Sequence, residues 1–290
     1  MTLLVTGASG HLGRLVVEAL LERGTPAGDV VATARTPESI SDLADRGVQV
    51  RRADYTDPAS LDAAFVGVDR VLLVSGSEVG QRVAQHANVI DAAKRAEVGF
   101  VAYTSITRAD TSDLALAAEH RATEELLAAS GLPHALLRNS WYLENYTGQV
   151  PSVLEHGAVL GAAGDGRVSA ATRADYAAAA AAVLAGGDHD GAVYELGGDD
   201  AFTLAEYAAS VARVTGTEVV YRDLSVEDYT AALVAAGLPE GYAAVLADSD
   251  RGLAEGGLFT DSGDLSRLIG RPTTGLEDAL RAALVTAPTA

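Results

Sequence analysis

A doubly wound parallel sheet flanked by helices, with a second and smaller mixed α/β lobe, is the fold class this sequence predicts. Three observations predict it. A short apolar run, Leu3-Leu4-Val5, enters a glycine-rich turn that holds Gly7, Gly10 and Gly13, and an amphipathic helical pattern follows. Up to residue 150, short β-branched runs alternate with helical patterns, as in a parallel sheet with crossover helices. Beyond residue 150 the alternation breaks down.

Each element has its own justification. Residues 3–5 are continuously apolar, as befits a strand covered on both faces. Leu12, Leu15, Val16, Ala19 and Leu20 share one face of the helix behind them. Strands are then expected at 29–33, 48–52, 71–74, 100–103 and 135–138. Helices are expected between them at 37–46, 58–65, 80–96 and 114–129. Residues 151–170 read as loop-rich, with a tight turn at Gly164-Asp165-Gly166. An alanine-rich helix is expected at 175–185, and 192–196 reads as one more sheet strand. Capping-box spacing at Thr203–Glu206 and again at Thr274–Glu277 marks two helix starts. On this reading residues 1–150 form a Rossmann-like nucleotide domain, to which 170–200 returns, and 151–290 form the smaller lobe.

Composition narrows the function classes. The chain has 290 residues, 21 Lys and Arg against 40 Asp and Glu, and a formal net charge of −19. Such an acidic balance argues against nucleic acid and anionic membrane partners, which need clustered cations. No apolar run approaches the ~20 residues that span a bilayer. Cysteine is absent, which excludes disulfides, thiolate metal sites and a catalytic thiol. A cytoplasmic protein without a metal centre is the expectation.

The order strand, glycine turn, helix suits a dinucleotide phosphate. The amides of Ala8, Ser9, His11 and Leu12 lie at a helix start, where an anion is favoured. A Cβ at Gly7 or Gly10 would obstruct that approach, and Gly13 lets the helix pack tightly on its strand. The spacing is G-x-x-G-x-x-G. At the end of the second strand stands Arg35, where an NAD-selective site would carry an acid to hold the ribose 2′-hydroxyl. A guanidinium there suits a 2′-phosphate, so NADPH is the expected cofactor. Asp54 is placed either to meet the adenine or to cap the turn before Asp57-Pro58. Ser75, Gly76 and Ser77 provide small residues beneath the ribose, and Thr104 and Ser105 end the fifth strand near the nicotinamide.

The catalytic residues of carbonyl reductases of this fold class are missing. Their Tyr-x-x-x-Lys pair needs a lysine, yet Lys94 is the only one and Ile90 stands four residues before it. His120 is the remaining candidate acid, on a helix where a structural or solvated histidine is equally natural. Past the sixth strand, Arg138-Asn139-Ser140-Trp141-Tyr142-Leu143-Glu144-Asn145-Tyr146 places the only tryptophan and two tyrosines near the carboxyl ends of the strands, where aromatic residues, Trp141 and Tyr142 first, can stack on a flat substrate. Thr172 and Arg173 are placed to close the pocket from the second lobe.

Together the segments TGASGHLG, ADYTD, SGSEVGQR, AYTS, AAEHRATE, LRNSWYLENY, GAAGDG and ATRADYAAAA resemble the NmrA-like atypical short-chain dehydrogenases, and the late segments ADSDRG, GGLF and LIGRPTT extend the match over nearly the whole chain. The resemblance implies an NADPH-binding Rossmann domain, a small substrate lobe and two-electron reduction of quinones. It further implies that Gly7 to Gly13, Arg35, Ser75 to Ser77 and Asn139 to Glu144 contact the cofactor. One departure is Gly76, where the resemblance leads us to expect serine; a backbone contact survives that change and a hydroxyl contact does not. The missing lysine fits quinone chemistry. A ketone needs a positioned acid, whereas a quinone becomes aromatic on accepting hydride and leaves a stabilised anion that water can protonate. The rival reading is a non-enzymatic NADP(H) sensor of the same family. A monomer or homodimer acting on a small quinone is the expected assembly.

Overall fold

The computed structural model describes residues 1–286. Its strands are β1 (Leu3–Val5), β2 (Val30–Ala34), β3 (Gln49–Arg52), β4 (Arg70–Leu73), β5 (Phe100–Ile106), β6 (His134–Asn139), β7 (Ala158–Gly161), β8 (Val193–Leu196) and β9 (Val220–Asp223). Its helices are α1 (His11–Glu22), α2 (Ser41–Asp45), α3 (Pro58–Ala64), α4 (Arg82–Arg95), α5 (Ala115–Ser130), α6 (Leu143–Thr147), α7 (Val150–His156), α8 (Arg173–Ala185), α9 (Leu204–Thr215), α10 (Val226–Ala235), α11 (Glu240–Ala254), α12 (Asp264–Ile269) and α13 (Leu276–Thr286).

Seven strands form one parallel sheet in the order β3-β2-β1-β4-β5-β6-β8. The chain winds outward in one direction from β1 to β3 and in the other from β4 onward. The crevice between β1 and β4 is therefore the topological switch point, where ligands of such sheets bind. Alternate residues of β1 feed opposite layers. Leu3 and Val5 pack with α1 and α8, while Leu4 packs with the cluster that carries Leu61, Val89 and Leu127. The alanines of α8 allow a close approach to α1, with Ala177, Ala179, Ala180 and Ala181 all buried.

A second lobe is built on the two-stranded parallel sheet of β7 and β9 and has its own core, which includes Val159, Tyr207, Val211, Val219 and Leu280. No helix among the described residues is long and apolar enough to cross a membrane.

Three local expectations need correction. Residues 151–170 are loop-rich only in their second half, since α7 and β7 occupy most of 151–161. The partner of β7 is more than fifty residues downstream, with Ala158 opposite Val220, so no local alternation announces it. The turn within that stretch does form, with Gly164 at φ +51°. Second, β5 runs three residues beyond its expected end, because Thr104, Ser105 and Ile106 pair with Leu137, Arg138 and Asn139. Third, Thr203 makes its capping box with Glu206, but Thr274 does not begin α13; its N–H donates to Asp175 and the helix opens at Leu276.

Candidate active site

The glycine turn emerges from β1 at the switch point. Gly7 has φ +60°, and the Gly10 N–H donates to its carbonyl at 2.9 Å. Gly10 is the N-cap of α1 and offers no side chain, so the first amides of the helix keep their capacity to bind an anion. Gly13 faces Gly7 so closely that a Cβ would lie 2.4 Å from the Gly7 carbonyl oxygen. Ala8 is fully buried and its N–H ties the turn to Thr33 of β2 at 2.8 Å. Gly7, Ser9, Gly10, His11, Leu12 and Gly13 line a cleft of about 520 Å³ that continues past Arg35, Asp54 and Ser75 to Ser77.

At one end of this cleft Arg35 is 72% exposed and its guanidinium pairs with Glu78 at 3.2 Å. Glu78 is steadied by the Gln85 amide, which donates to it at 2.9 Å. Asp54 is occupied locally. It accepts from the N–H and hydroxyl of Thr56, and these bonds hold its carboxyl below the usual range. Asp57, not Asp54, caps α3 by accepting the Ser60 N–H.

The floor of the cleft is held by its backbone. The Ser75 N–H donates to Thr104 Oγ1 at 2.9 Å, and the Gly76 N–H donates to His86 Nε2 at 3.0 Å. That second bond fixes a tautomer. With Nε2 accepting, the proton of neutral His86 sits on Nδ1 and is given to Thr123 Oγ1 at 2.9 Å, whose hydroxyl donates to the Glu119 carbonyl. Burial lowers His86 to about 4, so it stays neutral at ordinary pH. A Cβ at Gly76 would lie 3.0 Å from Gln85 Oε1, so the backbone here is already close to its neighbours.

The cleft opens into a chamber of about 880 Å³ between the sheet and the second lobe. Ser75, Ser77, Arg82, Tyr142 and Arg173 line both spaces and form the junction. The chamber walls are strongly aromatic, with Trp141, Tyr142, Tyr146, Tyr207, Tyr229 and Tyr242. Tyr142 meets Tyr176 edge-on, with ring centroids 5.5 Å apart, and the Arg173 guanidinium lies 4.5 Å above the Tyr142 ring. His120 also lines the chamber. Its Nδ1 is hydrogen-bonded to the Tyr103 hydroxyl at 2.7 Å, and burial, aided by the charge of Arg82, lowers it to about 3. An imidazole held neutral in this way has no proton to give as an imidazolium.

Residues 7–186 match the NAD(P)H-binding family. The chain belongs to that family. Quinone oxidoreductase 2 of Escherichia coli (strain K12) is 54% identical to this NAD(P)H-binding chain over 276 residues, covering 95% of this chain and 96% of the relative. The crystal structure of an NADPH-dependent quinone oxidoreductase from Escherichia coli complexed with NADPH superposes with a TM-score of 0.95 at 52% identity, covering 98% of this chain and 100% of that one. An NmrA-like family domain-containing oxidoreductase of Aspergillus flavus is 28% identical over 98% of this chain and 95% of its own. The NmrA-like resemblance carried by the motifs is thereby borne out.

Most of the residues singled out in the sequence of this NAD(P)H-binding chain come together. The glycine turn, Arg35 and Ser75 to Ser77 share the cleft, and His120, Asn139, Ser140, Trp141, Tyr142 and Arg173 share the chamber. Five do not reach either space, the first being Ala8, fully buried with its N–H donated to the Thr33 carbonyl and so not free for a phosphate. Thr104 is buried behind Ser75, because β5 continues past it. Leu143 is 1% exposed and lies in the core of the second lobe. Glu144 turns back to accept the Arg173 N–H at 2.9 Å and to pair with its guanidinium at 3.5 Å, which orients Arg173 over Tyr142. Thr172 caps α8 instead of closing the pocket. Ser105 does face the chamber, with its hydroxyl donating to the buried Glu124 at 2.6 Å. Tyr146, the second tyrosine of the segment after the sixth strand, also lines the chamber, while sequence reasoning missed His86, Gln85 and Glu78 beneath the cleft, and Tyr207, Tyr229, Tyr242 and Asp250 in the chamber. Their helical spacing reads as ordinary core or surface, and nothing local reveals that a cavity lies in front of them.

Proposed function

We propose that this chain is an NADPH-dependent quinone reductase that delivers hydride directly to a quinone stacked in the aromatic chamber. The single observation that carries the reading is the shared wall. A cleft whose glycines leave room for a pyrophosphate opens, through Tyr142 and Arg173, into a chamber large enough for an aromatic acceptor. The likeness to the Escherichia coli quinone reductase supports the same chemistry.

When bound, NADPH supplies the hydride. The first amides of α1 hold its pyrophosphate, Arg35 takes the 2′-phosphate in exchange for Glu78, and the Ser75–Ser77 backbone passes beneath the ribose. Asn139 to Tyr142 stand beside the nicotinamide, with Arg173 holding the Tyr142 ring in place. The quinone lies against Trp141 and Tyr142, and orientation is the main catalytic contribution of the protein. His120 remains neutral and water protonates the product anion. In this reading residues 1–150 with 170–200 carry the cofactor, the rest of 151–290 carries the acceptor, and the enzyme works in the cytoplasm. The aromatic chamber favours turnover over NADP(H) sensing, which requires no acceptor space.

NADPH oxidation followed with and without benzoquinone tests the proposal. Acceptor-dependent oxidation yielding one hydroquinone per NADPH is expected; a rate indifferent to benzoquinone would overturn it.

A further inference from the structure

The chamber is electrically lopsided. Its two arginines, Arg82 and Arg173, both stand at the junction, because each also lines the cofactor cleft. Each is matched by a carboxylate of its own, Glu119 at 3.4 Å and Glu144 at 3.5 Å. The wall contributed by α10, α11 and the small sheet brings a carboxyl group, Asp250, and no cation among the described residues.

Asp250 is only half used by the protein. Its Oδ2 accepts the Ala162 N–H at 2.8 Å, which ties α11 to the end of β7. Its Oδ1 receives no hydrogen bond among the described residues. Burial raises the carboxyl to about 6, with the charge of Asp223 adding to the shift, so it is an anion at neutral pH. The groups that face it are Asp223 and Tyr221 on β9, Tyr146 on α6 and Tyr229 on α10. Tyr146 and Tyr229 line the chamber beside it. A partly desolvated carboxylate with an open acceptor, flanked by aromatic rings on a cavity wall, attracts an organic cation twice over. The ring faces attract it through their quadrupoles, and the carboxylate attracts it through a weakly screened charge.

We propose that Asp250, Tyr146 and Tyr229 form a subsite for a quaternary ammonium or protonated amine carried by the acceptor. The inference rests on the reading of the chamber as the acceptor site. It makes the preferred acceptors aromatic molecules whose positive group lies on the second-lobe side while the electron-poor ring faces the junction. A purely structural Asp250 predicts something different, because an asparagine would keep an acceptor for the Ala162 N–H and change nothing in the chamber.

Calorimetric titration of the NADP⁺-loaded protein with phenyltrimethylammonium, and with its uncharged isostere tert-butylbenzene, separates charge from shape. The ammonium should bind roughly tenfold tighter or better, and Asp250→Asn should abolish that preference. In the unaltered protein the preference should fade between about pH 7.5 and about pH 5 as the carboxyl is neutralised. That second measurement decides the matter if Asp250→Asn does not fold. Equal affinities for the two ligands, a preference that survives Asp250→Asn, or a preference that ignores pH would each overturn the proposal. Binding is read without turnover. Ammonium binding in a protein whose NADPH oxidation ignores benzoquinone would therefore refute the reductase reading and leave the cation subsite standing.

Discussion

Replacing Arg35 by alanine should weaken NADPH binding and leave NADH binding almost untouched. A charge-assisted guanidinium–phosphate contact contributes about 1.5–3 kcal/mol. In the free protein the same guanidinium is engaged with Glu78 at 3.2 Å, a pair 72% and 50% exposed at its two side chains. Giving up an exposed pair of that kind costs about 0.2–1 kcal/mol. The net loss for Arg35→Ala is then about 1–2 kcal/mol, or roughly 5- to 30-fold in the Kd for NADPH. Glu78→Gln gives the opposite arm of the experiment, because it frees Arg35 from its internal partner. NADPH affinity should rise about two- to fivefold, with NADH unchanged. Quenching of intrinsic fluorescence on titration with each dinucleotide reads both variants. Equal weakening of NADPH and NADH by Arg35→Ala would refute the reasoning. So would a loss of NADPH affinity in Glu78→Gln, which would make Glu78 a ligand instead of a competitor.

Other outcomes follow from the same geometry. Gly13→Ala puts a methyl group 2.4 Å from a backbone oxygen that cannot retreat, so urea denaturation should show a loss of about 2–3 kcal/mol; an unchanged midpoint would show that the turn is not tight. Trp141→Ala should raise the KM for benzoquinone by about tenfold with a smaller loss of NADPH affinity, and an unchanged KM would remove Trp141 from the acceptor site. His120→Ala should keep most benzoquinone reductase activity, and a fall beyond about a hundredfold would establish it as an acid. His86 and His120 have folded values of about 4 and about 3, below the ordinary histidine value. The unfolded chain therefore takes up protons first, and stability is lost as pH falls from about 6.5 towards those values, by about 1.4 kcal/mol per pH unit for each histidine. Asp250, raised to about 6, works in the opposite sense and offsets part of that loss. Urea midpoints measured between about pH 7 and about pH 5 should fall less steeply in His120→Ala than in the parent; identical slopes would contradict the buried neutral imidazole.

The parts of this fold that were legible in the sequence are those whose signal is local. The apolar run of Leu3 to Val5, the three glycines and the capping box at Thr203 each state their conformation within a few residues. The strand at Ala158–Gly161 was illegible because its partner among the described residues is the distant β9. The place of Arg35 after β2 suggests a phosphate ligand and puts it in the cleft, yet its pairing with Glu78 spans forty-three residues and appears only in three dimensions. Glu144 was expected at the cofactor because of its neighbours in the segment. The short helix α6 turns it towards Arg173, and Leu143 into the core. The aromatic walls of the chamber were hidden for a related reason. A tyrosine such as Tyr229, 7% exposed, satisfies the same helical periodicity whether it fills a core or borders a cavity.

The route of the chain after β6 binds the two lobes to each other. It leaves the main sheet for α7 and β7, returns for α8 and β8, leaves again for β9, α10 and α11, and comes back once more to lay α12 against α8 and β8. A lobe strung on four crossings cannot be lifted off as a separate cassette, nor swing freely on one hinge. Exchange of acceptor specificity between relatives must therefore proceed by residue replacement on the chamber walls, not by trading whole modules.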